Sequence, residues 1–158
     1  MKALWFFLIS IGLCFGVQAE EQTICPIMVD SEIDEEEVVE FEGKTILMCC
    51  GSCIKNWNQN PLYYLKIGRE LKLLPQFAEV TKELEEQLAE VELMEQRFCA
   101  IRNDNVVGPH SPFIEYEGKK IYFYKEGDIK RRWDRNPEAA FEKARKAGVL
   151  PQFDGKKS

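Results

Sequence analysis

The chain carries one pattern of landmarks twice, and only the first copy keeps a cluster of cysteines. Each copy has a cysteine, an aromatic-Glu-Gly-Lys segment, a tryptophan, an Asn-Pro pair and a closing Leu-Pro-Gln-Phe. Equivalent residues lie 74 positions apart at Cys25 and Cys99, and 76 apart at Trp57 and Trp133. Such a duplication predicts two modules of the same fold. It also separates the residues that the fold requires from those that one copy uses for chemistry.

The amino terminus has the composition of an export signal. Lys2 precedes an apolar run over residues 4–17, and Val17-Gln18-Ala19 is typical of a signal cleavage site. The run is too short for a membrane-spanning helix. We therefore expect residues 1–19 to be removed, leaving a periplasmic or secreted chain without a membrane span.

The remaining chain is predicted to form two small modules, residues 20–77 (copy one) and 98–158 (copy two), joined by residues 78–97. Modules of about 70 residues bury little apolar surface and often depend on a disulfide, a metal or a partner. The formal net charge is −6 at pH 7, and there is no long basic run. This balance argues against a nucleic-acid partner.

Export also constrains the cysteines. Cys14 lies in the signal segment. Five cysteines remain in the mature chain: Cys25, Cys49, Cys50, Cys53 and Cys99. Disulfides are the default in exported proteins, but an odd number of cysteines cannot pair completely within one chain. At least one thiol is therefore free, bound to a metal or joined to another chain.

Each copy is expected to open with a turn at its first cysteine, followed by a β-hairpin. Aromatic and β-branched residues flank a Gly-Lys pair in both copies, which is typical of two short antiparallel strands joined by a tight turn. The predicted strands are residues 38–42 and 45–49 in copy one, and 112–117 and 120–124 in copy two.

Two helices should follow each hairpin. The first carries Trp57 or Trp133, which we expect to anchor the core. The second begins after Asn60 or Asn136, because asparagine is a good helix N-cap and the proline that follows suits the first helical position. These second helices are predicted over residues 61–71 and 137–146.

The linker has the composition of a long helix. Residues 78–96 are rich in Glu, Leu, Ala and Lys and contain neither glycine nor proline. Apolar residues follow a heptad pattern along it: Phe77, Val80, Leu84, Val91, Met94 and Phe98. This stripe suits packing on the two modules, and a dimeric coiled coil with a second copy of the chain is the alternative.

Copy one concentrates the reactive side chains. Cys49, Cys50 and Cys53 fall where a strand ends and a helix begins, and there the backbone N–H groups and the helix dipole favour thiolates. Cys25, before the hairpin, can fold back onto the same point. Thiolates are soft donors that select zinc or copper(I), and such a turn, hairpin and helix start are the parts of a treble-clef metal module. The predicted fold is therefore α+β, with two treble-clef-like modules joined by a long helix.

The order of these residues resembles that of the YHS/TRASH family. The landmarks of the resemblance are Cys25-Pro26, the run Phe-Glu-Gly-Lys-Thr-Ile-Leu-Met-Cys-Cys-Gly-Ser-Cys over residues 41–53, Trp57 and Asn60-Pro61. The resemblance covers residues 25–77 well and residues 99–153 in outline. It implies treble-clef modules associated with heavy-metal binding, trafficking and sensing, with the three-cysteine motif falling on Cys25, Cys49 and Cys53.

Copy two departs from the pattern where the metal would lie. It has Tyr-Lys-Glu-Gly-Asp at residues 124–128, and Asp128 with Cys99 would make a poor clamp for a soft metal. We expect a structural copy in which Phe123, Tyr124 and Trp133 pack in place of a metal. His110, the only histidine, is expected in a solvated loop.

Three classes of function are compatible with these residues. The first is an exported protein that captures, buffers or delivers a soft ion such as zinc or copper through Cys25, Cys49 and Cys53, with Cys50 as a fourth ligand or redox partner. The second is a thiol–disulfide redox protein that uses Cys50 and Cys53 as a Cys-x-x-Cys pair. The third is a structural or interaction protein in which disulfides staple copy one.

The metal-binding class implies a metal ion as the partner, and a metal transporter or a second copy bound through the linker helix as a further one. A hydrolytic or transfer enzyme is not expected. The mature chain has one histidine and neither a serine-centred elbow nor a glycine loop that would cradle phosphate.

Overall fold

The computed structural model describes residues 21–154, so the export signal predicted for residues 1–19 lies outside the described residues. Over the described part the fold is α+β, as predicted, with two separate two-stranded hairpins. The strands are β1 (Asp34–Phe41), β2 (Lys44–Met48), β3 (Phe113–Tyr116) and β4 (Lys119–Tyr122). The helices are α1 (Gly51–Gln59), α2 (Pro61–Glu70), α3 (Lys82–Glu90), α4 (Glu126–Asp128) and α5 (Pro137–Lys146). No helix within residues 21–154 has the length and apolar character needed to cross a membrane.

Both hairpins turn one residue earlier than predicted. The two residues of each turn have positive φ angles, 51° and 70° at Glu42 and Gly43, and 48° and 74° at Glu117 and Gly118. A two-residue turn of this hand matches the twist of the flanking strands. Lys44 and Lys119 therefore begin β2 and β4 instead of lying in the turns.

The Asn-Pro pairs start helices in both copies, as predicted. The Asn60 side chain accepts a hydrogen bond from the Tyr63 backbone N–H at 3.3 Å. Asn136 caps Ala139 in the same way at 3.1 Å. The helix that carries Trp57 is regular, whereas its counterpart in copy two is the single turn α4 continued by a π-helical turn over Ile129–Trp133.

The prediction of a long linker helix over residues 78–96 is wrong. Helix α3 covers only Lys82–Glu90, because the Thr81 hydroxyl caps its start and the chain becomes extended at Val91. The Lys66 ammonium donates hydrogen bonds to the carbonyls of Leu88 and Val91, at 2.9 and 2.7 Å, and so satisfies the end of the helix. Tertiary contacts thus outweigh the helical propensity of the flanking residues.

The apolar stripe of the linker packs within the chain. Leu84 and Leu88 of α3 are only 4% and 3% exposed, and α3 lies against α2. The tryptophans predicted as core anchors, Trp57 and Trp133, are buried at 0% and 2% exposure. A continuous core runs through both copies, and the heptad residues Val80, Val91 and Met94 are half-buried against it.

A polar contact is repeated in both copies and closes each hairpin against the end of its copy. The Gln76 amide donates to the Gln22 side chain and to the Thr45 carbonyl, both at 2.9 Å. Gln152 makes the same two contacts in copy two, with Gln96 and the Lys120 carbonyl. The duplication therefore extends to the hydrogen bonds that surround each hairpin.

The first turns of the two copies have one backbone geometry. In copy one the N–H of Cys25 donates to the Ser31 carbonyl at 3.0 Å, and in copy two the N–H of Cys99 donates to the Asn105 carbonyl at 2.8 Å. We call residues 25–31 and 99–105 the cysteine turns. They lie side by side, since backbone hydrogen bonds of 2.8 Å join Val29 to Asp104 and Val106 to Ile27.

Copy two holds an ion pair where copy one holds thiols. Asp128, at the position equivalent to Cys53, is 1% exposed, and Arg102 Nε donates to its two carboxylate oxygens at 3.0 and 3.2 Å. Burying a carboxylate is costly unless it is paired and hydrogen-bonded. Arg102 is thus the partner that lets copy two place an acidic residue at this position.

Arg102→Met should destabilise the protein strongly, because it leaves the Asp128 carboxylate buried without its partner. The Asp128 side chain is 2% exposed but that of Arg102 is 30% exposed, so leaving the buried carboxylate unpaired should cost about 1 to 3 kcal/mol, measurable as a fall in the free energy of unfolding in urea. Arg135→Met, at an exposed position of the same copy, is the matched control and should change that free energy by less than about 0.5 kcal/mol. Equal stabilities of the two variants would contradict the assignment.

Candidate metal centre

Three thiols from two parts of copy one come together. The Sγ atoms of Cys25, Cys49 and Cys53 all lie within 4.8 Å of one another. Cys25 and Cys53 are fully buried, and Cys49 is half-buried. Three converging sulfur atoms are a donor set suited to a soft metal ion. The site is closed to solvent on the side of Cys25 and Cys53.

Local structure accounts for the convergence. Cys49 follows the end of β2, and Cys53 lies in the first turn of α1, whose N-terminus begins at Gly51. Cys25 comes from the cysteine turn, where the Met28 backbone N–H donates to its Sγ at 3.5 Å. A strand end, a helix start and a turn therefore present one sulfur each to the same point.

Cys50 lies at the edge of this group. Its Sγ is 3.9 Å from that of Cys49 and 3.6 Å from that of Cys53, but it is not one of the three mutually close thiols. It also contacts the Ser52 hydroxyl at 3.0 Å. Cys50 therefore lies beside the three-sulfur group, and its Sγ also contacts an exposed side chain, that of Ser52.

All five cysteines of the described chain are free thiols. The Cys49 and Cys53 sulfurs are 3.5 Å apart, well beyond the S–S bond length of about 2.05 Å. Residues 21–154 therefore contain no disulfide of the kind that the structural hypothesis expects in copy one.

The thiols differ in their readiness to ionise. A hydrogen bond from Cys53 lowers the pKa of Cys25 to about 6 against the opposing effect of burial, with help from the backbone N–H groups of Met28, Ile27 and Cys49. Burial and the charge on Cys25 raise the pKa of Cys49 to about 12. The pKa of Cys53 is raised as well, first through its hydrogen bond to Cys25 and then by burial. One thiolate thus forms readily, and a cation would favour ionisation of the others.

Copy two completes the wall of the site. The Tyr124 hydroxyl lies 3.6 Å from the Cys53 Sγ and 3.2 Å from the Ser52 hydroxyl, and Tyr124 is only 8% exposed. Tyr124 stands at the position in copy two that is equivalent to Cys49 in copy one. A residue that replaced a thiol in one copy therefore contacts the thiols of the other.

The histidine lies on the surface, as predicted. His110 is exposed and does not join the three-sulfur group. The sequence prediction did not include two residues that contact the cluster, Met28 and Tyr124. The Cys-x-x-Met spacing of the cysteine turn was an available signal for the first, while the second reaches the site only through the packing of the two copies.

Comparison with known proteins finds no matching family model, no matching curated protein and no matching solved structure. The function of the site must therefore be inferred from its own chemistry.

The Cys25 thiol should titrate near pH 6 in the reduced, metal-free protein. Because its pKa lies below the ordinary value, Cys25 should contribute one equivalent to the rise in thiolate absorbance in the ultraviolet as the pH increases from 5 to 8. Cys25→Ser should remove this step. Cys99→Ser is the control and should keep it, since burial raises the pKa of Cys99. A step of equal size in both variants would show that another thiol titrates there.

Proposed function

We propose that the chain is an exported protein that binds a soft metal ion through Cys25, Cys49 and Cys53, in order to capture, buffer or deliver it. The observation that carries this proposal is the convergence of three Sγ atoms within 4.8 Å. The resemblance of residues 25–77 to YHS/TRASH modules supports the same function. The apolar run over residues 4–17 supports export. Binding, and not catalysis, is the proposed activity.

A thiol–disulfide redox protein is the second candidate, because the Cys50 and Cys53 sulfurs are 3.6 Å apart. Burial opposes ionisation of Cys50, but hydrogen bonds with Ser52 and Cys53 outweigh it and lower the pKa. Against this candidate, the strand before the pair belongs to a two-stranded hairpin, whereas thioredoxin-like motifs lie beside a βαβ unit.

A thiol titration with and without a chelator separates the two candidates. The protein is purified without added metal, and reactive thiols and released metal are counted together. Metal binding predicts that the cluster thiols become reactive only after chelation, with about one ion released per chain. Thiols that are disulfide-linked on purification and that reduce a protein disulfide catalytically would instead favour the redox function.

Replacing a cluster cysteine should remove metal binding and leave the fold intact. Cys49→Ser removes one of three ligands, but the hairpin turn, Trp57 and the Asn60 cap remain, and copy two is built from the same landmarks without this thiol. We expect stoichiometric Zn²⁺ and Cu(I) binding to be lost, with a change of about 1 kcal/mol in the free energy of unfolding. Cys99→Ser, in copy two, should keep binding. Global unfolding of Cys49→Ser would show that the cluster is structural.

Tyr124→Phe should weaken metal binding without abolishing it. The Tyr124 hydroxyl contacts the Cys53 sulfur, and groups that hydrogen-bond to metal ligands typically contribute about 10- to 100-fold in affinity. Tyr122→Phe, at the last residue of β4 and two positions before Tyr124, is the matched control. Competition with a chromogenic chelator measures both. Unchanged affinity in Tyr124→Phe would show that the contact between the copies only fills space.

A further inference from the structure

A further sulfur atom lies beside the thiols and belongs to a methionine. The Met28 Sδ is 3.6 Å from the Cys49 Sγ. Two sulfur ligands that share one ion at about 2.3 Å in a tetrahedral site lie about 3.8 Å apart. The observed separation is therefore close to that of two ligands of one ion. Met28 is half-buried and packs against the core together with Cys49.

The cysteine turn places Met28 and Cys25 on the same side. The two residues are three positions apart, and the Met28 backbone N–H donates to the Cys25 Sγ. Ser31 closes the turn through its N–H bond to the Met28 carbonyl at 2.9 Å. Spacing of this kind between two side chains in a turn is the arrangement by which Cys-x-x-Cys pairs hold structural metal ions.

Copy two provides an independent view of the same position. Arg102 is the residue equivalent to Met28, and its backbone N–H donates to the Cys99 Sγ at 3.4 Å. Its side chain reaches Asp128, the residue equivalent to Cys53, at 3.0 Å. A side chain at this position of the cysteine turn thus reaches the ligand positions in both copies. In copy two the contact is ionic, and in copy one the position offers a thioether.

Cys50 is the competing candidate for the fourth ligand. Its Sγ lies 3.9 Å from that of Cys49 and 3.6 Å from that of Cys53, but it does not join the group of three mutually close thiols, and it contacts the Ser52 hydroxyl at 3.0 Å. It also follows Cys49 directly, so simultaneous ligation by both would strain the start of α1. Met28 reaches Cys49 from the cysteine turn, a separate part of the chain.

We propose that Met28 is the fourth ligand of the centre and that the ion it selects is Cu(I). This inference rests on the proposed metal-binding function and specifies its cargo. Zinc takes thiolate, imidazole and carboxylate ligands, whereas sets of thiolate and thioether sulfur favour Cu(I). No histidine or carboxylate of the described chain joins the three-sulfur group, so the donors beside the ion are sulfur atoms.

Met28→Leu tests the ligand, since it removes the sulfur and keeps most of the shape. Competition with a chromogenic Cu(I) chelator should show an affinity about 10- to 100-fold below that of the unaltered full chain, as for other single supports of a metal centre. Met94→Leu is the matched control and should bind as the unaltered chain does. Cys50→Ser should also keep its affinity. A loss in Cys50→Ser with none in Met28→Leu would overturn the proposal.

Methionine methyl NMR gives a readout that does not depend on affinity. In the full chain labelled at methionine methyl groups, one equivalent of Cu(I) should shift the Met28 resonance, which Met28→Leu identifies by its absence. The Met94 resonance should stay in place. Binding of Cu(I) without a shift at Met28 would overturn the assignment of this ligand.

Met28→Cys tests the choice of metal. It converts the cysteine turn to Cys-x-x-Cys, so Zn²⁺ should bind this variant more tightly than the unaltered chain. A preference of the unaltered chain for Zn²⁺ over Cu(I) would refute the cargo. Absence of binding of either ion by the unaltered, reduced chain would refute the metal-binding function itself. Cu(I) binding that depends on Cys49 but not on Met28 would refute only the fourth ligand.

Discussion

The pairing of the two cysteine turns is the contact that holds the two copies together around the candidate centre. Backbone hydrogen bonds of 2.8 Å from Val29 to Asp104 and from Val106 to Ile27 fix the copies side by side. Ile27 and Val106 are buried at this junction, so these backbone groups need protein partners and find them across the copies. The pairing brings the end of the second hairpin, at Tyr124, against the start of α1. Copy one supplies the thiols, and copy two supplies part of the wall around them.

The elements that the sequence predicted well are those whose causes are local. Asn60 and Asn136 cap their own helices, and each glycine turn is decided by two adjacent residues with positive φ. The linker helix failed because its limits are set from elsewhere. Lys66, on α2, donates hydrogen bonds to the carbonyls of Leu88 and Val91. The composition of residues 78–96 cannot predict this contact, because Lys66 lies outside that segment.

The site residues divide in the same way, into those positioned by local structure and those positioned by contacts between the copies. The spacing of the cysteines, taken with the Gly-Lys, aromatic and Asn-Pro landmarks around them, predicted that Cys25, Cys49 and Cys53 would meet, because a turn, a strand end and a helix start are local features joined by one short hairpin. Tyr124 could not be predicted as part of the site, since it reaches the thiols only through packing between the two copies, and it is 71 positions from Cys53 in the chain. Met28 was not predicted as a site residue because methionine usually fills apolar gaps. Its 3.6 Å contact with the Cys49 sulfur is what distinguishes it from such a residue.

Copy two shows what the scaffold itself requires. Its cysteine turn keeps the geometry of the first, yet its ligand positions hold a charged pair, Arg102 and Asp128, with Tyr124 turned toward copy one. A buried ion pair is often no more stabilising than well-packed apolar residues, so this pair is one acceptable filling of the position and not the reason that the copy folds. Aromatic packing around Trp133 and the Asn136 cap supply that reason. Since one scaffold accepts either filling, we expect the sulfur atoms of copy one to be dispensable for folding, which is the premise of the proposal that they converge to bind an ion.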